Sequence, residues 1–161
     1  MPLDSSSRVS RMALGLVAIA MVSSAFADGS ANRLGAPLLP KYAQECAACH
    51  LAYPPGLLPA ASWEHLMDTL PRHFGSDATL DATTARELSS WLAAHAGTGK
   101  LAREAPPQDR ITRSAWFTRE HDEVPSATWK LSTVKSASNC AACHTRADQG
   151  DFSERSIRIP R

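Results

Sequence analysis

The apolar residues of the chain form two short helical stripes, separated by segments rich in proline and glycine. Trp63, Leu66, Met67 and Leu70 follow the spacing i, i+3, i+4, i+7, which predicts an amphipathic helix over residues 63–70 with Ser62 as its N-cap. No segment alternates apolar and polar side chains as a half-buried strand does. The pattern therefore predicts a mainly α-helical fold with much irregular structure.

A second helix is predicted over residues 82–96, capped by Asp81 and ended by Gly97. His95 falls on the same face of this helix as Leu88 and Leu92. A histidine in that position is expected to be buried or to bind a metal, and the spacing alone does not separate the two roles.

Prolines and glycines mark the segments around these helices. Residues 52–59 are rich in proline and are expected to run extended, while Pro71 and Gly75 bound a corner that carries His73. Gly97 and Gly99, followed by the prolines at 106 and 107, predict a linker. We therefore expect two small units, residues 28–100 and residues 101–161.

The first 27 residues read as a targeting segment. Arg8 and Arg11 precede an uncharged stretch over residues 12–22, and Ala25-Phe26-Ala27 completes a small-residue cleavage site. This order is typical of a secretory signal peptide, and the apolar run is about half the length needed to span a bilayer. We expect export and cleavage after Ala27.

The composition limits the classes of function. A net charge of +1 with 20% charged residues offers no basic surface for nucleic acid, and 161 residues leave no room for a large multidomain enzyme. Much of the hydrophobic content is alanine, so large apolar side chains are too sparse for a good core. We therefore expect a bound group to supply part of the core.

Two C-x-x-C-H motifs indicate what that group is. Residues 46–50 and 140–144 both read Cys-Ala-Ala-Cys-His. This spacing lets two thiols add to the two vinyl groups of one haem and directs the adjacent histidine to the iron. We predict two covalently bound haem c groups, with attachment through Cys46, Cys49, Cys140 and Cys143 and axial ligation by His50 and His144.

Other uses of paired cysteines fit this chain less well. The second pair of a zinc ribbon usually follows the first closely, whereas here a long segment separates the pairs. Two isolated C-x-x-C pairs make a poor disulfide framework, and the βαβ pattern of a thioredoxin-like protein is missing.

The ligand on the opposite side of each iron can be sought among few residues. Met67 is the one methionine that remains after cleavage, and its place on the apolar stripe favours a packing role. His65 lies on the polar face of its predicted helix, whereas His73 stands at a rigid corner and His121 follows an aromatic pair. The residues alone favour His73 and His121, with His95 in reserve.

Longer strings in the chain resemble the dihaem cytochrome c family of bacterial periplasms. The resemblance covers residues 41–161 and rests on the strings at 45–59, Ser62-Trp63, His73-Phe74-Gly75, Arg110-Ile111-Thr112, His121, 139–144 and 157–160. It implies two small units whose cores are built around their haems. It also implies that His73 and His121 are the ligands opposite His50 and His144. Proximity in the sequence pairs His73 with the first haem and His121 with the second.

The resemblance further implies a periplasmic electron carrier rather than an enzyme, with no small-molecule substrate. The expected partners are a membrane b-type cytochrome and a small soluble cytochrome or periplasmic reductase. One alternative is a dihaem electron-transfer subunit of a periplasmic reductase. Another is a haem enzyme or gas sensor with one open iron position.

Overall fold

The computed structural model describes residue 34 and residues 37–161, so the predicted signal peptide lies outside the described residues. Four α-helices are present in this part: α1 (Pro40–Cys46), α2 (Ala60–Asp68), α3 (Ala82–Ala94) and α4 (Ala115–Glu120). The described chain otherwise consists of single-turn 3₁₀ helices, loops and isolated β-bridges, without a regular strand. The predicted class, mainly α with much irregular structure, is confirmed. No helix in the described residues is long and apolar enough to cross a membrane.

Helix α2 begins earlier than its apolar stripe indicates, so the prediction that Ser62 caps it is wrong. Pro59 is the N-cap, with φ −70° and ψ 160°, and its carbonyl accepts hydrogen bonds from the backbone N–H groups of Ser62 and Trp63. Ser62 therefore lies in the first turn and is 1% exposed. The helix ends before Pro71 because a proline disfavours helical backbone in the preceding residue, and a 3₁₀ turn over Leu70–Arg72 follows.

Helix α3 begins where the sequence predicts and ends slightly earlier. The Asp81 carboxylate accepts hydrogen bonds of 3.0 Å from the backbone N–H groups of Thr83 and Thr84, as an N-cap does. The last helical residue is Ala94, and His95 is the C-cap. The predicted end at residue 96 is thus two residues too long.

The main core lies between α1, α2, α3 and the proline-rich segment. Its buried side chains are Tyr42, Ala52, Leu58, Trp63, Leu88 and Leu92. The Trp63 indole N–H donates a 2.8 Å hydrogen bond to the carbonyl of Pro55, which attaches the proline-rich segment to α2. That segment contains a 3₁₀ turn, Pro55–Leu57, so its predicted fully extended course is wrong.

The second half of the chain has far less regular structure. Helix α4 begins at Ala115, and its N-cap is Ser114, whose hydroxyl accepts a hydrogen bond from the Phe117 N–H. Beyond it the described chain runs through 3₁₀ turns, including Thr128–Lys130, Cys140–Ala142, Ala147–Gln149 and Glu154–Ser156. From α4 onwards, fewer apolar residues are buried than in the first half of the chain. They are Phe117, Val134 and Ala147.

The segment predicted as a linker, residues 97–107, packs against the first half of the chain. The Gly97 N–H donates a 2.8 Å hydrogen bond to the Leu58 carbonyl, and Ala102 is buried. Further along, the Asp109 carboxylate accepts a 2.6 Å hydrogen bond from Nδ1 of His65, and Ile111 packs against the main core. Residues 97–111 therefore lie against the first half through defined contacts.

Candidate functional site

The first C-x-x-C-H motif begins on the last residue of α1. Cys46 ends this helix and packs at the edge of the main core, while Cys49 and His50 lie on the exposed turn that follows. The His50 ring is oriented by a 2.7 Å hydrogen bond between Nδ1 and the Leu51 carbonyl. Because a carbonyl only accepts, Nδ1 carries the proton and the Nε2 lone pair is free for a metal.

A tight reverse turn holds His73 opposite this motif. The His73 carbonyl accepts a 3.0 Å hydrogen bond from the Ser76 N–H, and the two central residues, Phe74 and Gly75, have φ values of 50° and 98°. Left-handed backbone is natural for glycine and unusual for phenylalanine. Pro71, in the 3₁₀ turn just before His73, restricts the other side of this corner.

His50 and His73 face each other across a short gap. Their ring centroids are 6.1 Å apart and their planes differ by 21°. His73 is half-buried, and burial lowers its pKa, with a smaller contribution from His50. Both effects favour the neutral imidazole, which is the form that binds a metal.

The second C-x-x-C-H motif is held by backbone hydrogen bonds rather than by a helix. Cys140–Ala142 forms a 3₁₀ turn, and the His144 N–H donates a 2.8 Å hydrogen bond to the Cys140 carbonyl. The Cys143 carbonyl accepts a 2.8 Å hydrogen bond from the Arg158 N–H, and His144 forms an isolated bridge with Ile157. The C-terminal segment therefore braces this motif.

In the second half of the chain His121 faces His144. The first half has the same arrangement, in which His73 faces His50. His121 is the C-cap of α4, and its Nδ1 lies 2.9 Å from the Phe117 carbonyl, which again leaves Nε2 free. The Phe117 ring stacks on His121 at 4.0 Å with 19° between the planes. The rings of His121 and His144 are 6.0 Å apart and 71° from parallel. Burial lowers the pKa of His144, to which His121 adds a smaller effect.

Both pairs have the separation that a metal ion between two imidazoles requires. Two metal–nitrogen bonds of about 2 Å, extended by the inner halves of two rings, span about 6 Å. The buried Nδ1 atoms of His73 and His144 have no hydrogen-bond partner among the described residues. Each pair thus combines one ring whose Nδ1 is bonded to a backbone carbonyl with one ring whose Nδ1 has no partner among the described residues. The residues present fit two irons, each between two histidines.

The other candidate ligands have different surroundings. His65 is exposed and forms a hydrogen bond with Asp109. His95 is half-buried, with Nδ1 2.8 Å from the Trp91 carbonyl and its ring 4.8 Å from that of Trp91. Among the described ring contacts, none joins His95 to a second histidine. Met67 packs against the main core.

None of the four cysteines, all within the described residues, forms a disulfide. Burial raises the pKa of both Cys46 and Cys140 to about 11. The described residues also contain no cluster of three or more histidine, cysteine or acidic side chains that could hold a metal ion. The two cysteine pairs therefore do not converge on one zinc-ribbon type site.

Sequence reasoning placed an aromatic pair before His121 but missed the other aromatic neighbours of the histidines. Tyr53 stacks on His50, with ring centroids 4.9 Å apart and planes 20° apart, and Phe152 lies 5.2 Å from His144. Phe117 precedes His121 by one helical turn, so the i, i+4 spacing would have found that pair. Trp129, 5.9 Å from His121, comes from a separate 3₁₀ turn, and no local pattern signals its contact.

The profile of one protein family, described as dihaem cytochrome c, matches residues 42–152. None of the curated proteins compared with the chain matches it.

Solved structures of the same kind also match. A crystal structure of DHC purified from Rhodobacter sphaeroides is 44% identical, covers 72% of this chain and 98% of its own, and superposes with a TM-score of 0.64. A dihaem cytochrome c of the same organism is 45% identical, with coverages of 71% and 96% and a TM-score of 0.64. The dihaem cytochrome c from Shewanella baltica OS155 is 36% identical, with coverages of 78% and 95% and a TM-score of 0.67.

Proposed function

Because the chain belongs to the dihaem cytochrome c family, we propose that it is a periplasmic one-electron carrier with two bis-histidine haems. Family membership means that the chain carries two covalently bound haem c groups and implies a role in electron transfer. The ligand set, the location and the partners are proposals that go further.

The proposed attachment follows the two motifs. Cys46 and Cys49 hold the first haem and Cys140 and Cys143 the second, each through thioether bonds. His50 and His144 are the adjacent axial ligands. Haem iron supplies reversible exchange of one electron between its ferric and ferrous states. The chain's residues hold the irons, limit access to them and set their potentials.

The observation that carries this proposal is the near-equal separation within the two histidine pairs, 6.1 Å for His50 and His73 and 6.0 Å for His121 and His144. We propose that His73 and His121 are the opposite ligands. The lowered pKa values of His73 and His144 favour neutral imidazole, which suits ligation. Two histidine ligands on each iron leave no position for a substrate, and they give a lower potential than a methionine ligand does.

Substitution of the distal histidines tests the ligand set. In the ferric holoprotein, we expect His73→Ala and His121→Ala each to convert one haem from low spin to high spin. Each reduced variant should bind one equivalent of carbon monoxide, because one axial position becomes open. His95→Ala is the matched control and should leave both haems low spin. A high-spin signal with His95→Ala but not with His121→Ala would contradict the assignment.

The partners are tested by reduction kinetics. We propose that electrons arrive from a membrane b-type cytochrome and leave to a small soluble cytochrome or a periplasmic reductase. The purified quinol-linked membrane cytochrome should reduce the holoprotein, and absence of reduction would overturn this direction. Co-purification with a large molybdenum-containing chain would identify a reductase subunit instead. Carbon monoxide binding by the unmodified reduced protein would identify an open iron site, as in an enzyme or gas sensor.

Export is tested on the mature protein. We propose that residues 1–27 direct export and are removed after Ala27. N-terminal sequencing of the periplasmic protein should begin at Asp28, and a different first residue would contradict the proposed cleavage site.

A further inference from the structure

The Tyr53 side chain joins the first histidine pair to the loop that carries the second haem motif. Its ring stacks on His50 at 4.9 Å, and its hydroxyl donates a 2.7 Å hydrogen bond to the Ser138 carbonyl. Ser138 lies 85 positions further along the chain. It precedes Cys140, the first attachment cysteine of the second motif, by two residues. One side chain therefore contacts the surroundings of both haem sites.

Tyr53 is itself held on its backbone side. The buried Tyr42 hydroxyl donates a 2.9 Å hydrogen bond to the Tyr53 carbonyl. Pro54 and Pro55 follow, both buried, and their rings restrict the backbone. The Tyr53 ring is thus attached to the main core on one side and to the second half of the chain on the other.

The loop that receives the Tyr53 hydroxyl is also held by local hydrogen bonds. The Asn139 side-chain amide donates a 3.0 Å hydrogen bond to the carbonyl of Val134, which is 1% exposed, and the Ser138 N–H donates one of 3.2 Å to the Ser136 hydroxyl. The hydrogen bond from Tyr53 to the Ser138 carbonyl adds a contact with the first half of the chain.

We propose that Tyr53 is a positioning residue that couples the two haems. Its ring holds the plane of His50, and its hydroxyl holds the loop of Cys140 at a set distance from the first site. The inference rests on the proposed function, since it concerns one-electron exchange between the two haems. In that exchange one ferrous haem is oxidised and the other, ferric, haem is reduced by the same electron. Tyr53 gains and loses neither an electron nor a proton.

Comparison with the second histidine pair separates the role of the Tyr53 ring from that of its hydroxyl. Phe117 stacks on His121 with nearly the same tilt, 19° against 20°, but has no hydroxyl and belongs to the same helix as its histidine. An aromatic ring stacked on a histidine is thus common to both sites. Tyr53 differs from Phe117 in having a hydroxyl, which forms a hydrogen bond with the other half of the chain.

Two substitutions separate the roles of the ring and the hydroxyl. Tyr53→Phe keeps the stacking and removes the hydrogen bond, whereas Tyr53→Leu removes both. Thr145→Val is the matched control, because it deletes a hydroxyl that donates a 2.8 Å hydrogen bond to a carbonyl, that of Ser156, within the second half. Three measurements on the holoprotein are compared: haem EPR signals, amide hydrogen exchange over 134–140, and inter-haem electron exchange by NMR of the half-reduced protein.

For Tyr53→Phe we expect both low-spin EPR signals to persist, because both ligand pairs remain. Exchange over residues 134–140 should accelerate by roughly fivefold, as loss of one net hydrogen bond implies, and inter-haem electron exchange should slow. Tyr53→Leu should show these effects and also shift the EPR signal of one haem, because the stacking on His50 is lost and only the hydrogen bond to the Leu51 carbonyl still orients that ring. Thr145→Val should leave exchange over 134–140 and the inter-haem rate unchanged.

The proposal is overturned if Tyr53→Phe leaves both the hydrogen exchange and the inter-haem rate at the unmodified values, or if Thr145→Val lowers that rate as much. Failure of the proposed function would look different. In that case the unmodified protein would show a high-spin haem, while hydrogen exchange would still report whether Tyr53 holds the loop.

Discussion

The two haem units carry the same Cys-Ala-Ala-Cys-His motif on unlike scaffolds. In the first unit α1, α2 and α3 bury their apolar faces against one another, and Leu88 and Leu92 are at most 1% exposed. In the second unit the described chain is mostly irregular, with α4 and short 3₁₀ turns, and aromatic rings cluster around the histidine pair itself. In both units the motif lies on a local turn and its histidine faces a second histidine, while the surrounding architecture differs.

The two histidine pairs agree in their ring separation and differ in their interplanar angle. The ring separations agree to 0.1 Å, at 6.1 and 6.0 Å, whereas the interplanar angles are 21° and 71°. His73 is presented by a reverse turn and His121 by the end of a helix, where Phe117 sets its plane. The shared ring separation suits the same bound group at both sites. The interplanar angle follows from how each scaffold holds its histidines.

The largest expected effect tests whether the first unit depends on its own core. Leu88 is fully buried, so Leu88→Ala should lower the free energy of unfolding of the holoprotein by about 2–5 kcal/mol. Denaturant titration followed by far-UV circular dichroism measures this change. Val134→Ala, at a buried site of the second unit, should cost less because fewer packed atoms are lost. If Val134→Ala lowered the free energy of unfolding as much as Leu88→Ala or more, the first unit would not depend more strongly on its own core than the second.

A smaller effect is expected where the linker meets the first unit. A Cβ added at Gly97 would lie 2.2 Å from the Gly56 carbonyl oxygen and 2.6 Å from the Ala102 Cβ. Backbone must shift to relieve this overlap, so Gly97→Ala should cost about 1–3 kcal/mol of unfolding free energy. Gly99→Ala is the control, because open space surrounds that site and its positive φ of 75° adds only backbone strain. Thermal unfolding that ranks Gly99→Ala as the more damaging change would contradict the close packing of the linker.

The smallest effects compare the N-caps of the two units. Ser114→Ala should destabilise α4 by about 1 kcal/mol at every pH, since its hydroxyl does not titrate in this range. Asp81→Ala should lower the melting temperature by an amount that depends on pH. Hydrogen bonds from Thr84 and Thr83 lower the pKa of Asp81 below its usual 3.8. Its stabilisation is therefore full above about pH 4 and is lost as the pH falls through the lower, folded-state pKa.

Melting curves recorded between pH 7 and acid conditions check this last contrast. The difference between the unmodified protein and Asp81→Ala should shrink as the pH falls, while the difference for Ser114→Ala should stay constant. Parallel loss in both variants would show that acid weakens the whole fold rather than the Asp81 cap.

Features that depend on near neighbours could be predicted from the sequence. The Asp81 cap, the existence of both long helices and the two haem motifs each need only a few adjacent residues. The start of α2 could not be placed from its apolar stripe, because Pro59 caps it through a backbone carbonyl and no side chain marks the position. The course of residues 97–111 was also missed, since their contacts are with residues distant in the chain.

The sequence by itself determined that this chain binds two haems and that few side chains could ligate them, because covalent attachment is encoded in five consecutive residues. The sequence also favoured His73 and His121 over His95, but only the tertiary structure shows the distances and angles at which they face His50 and His144, because those depend on how separate turns pack together. The tertiary structure also revealed Tyr53 between the two sites. A hydrogen bond to a carbonyl 85 residues away leaves no mark on either local sequence.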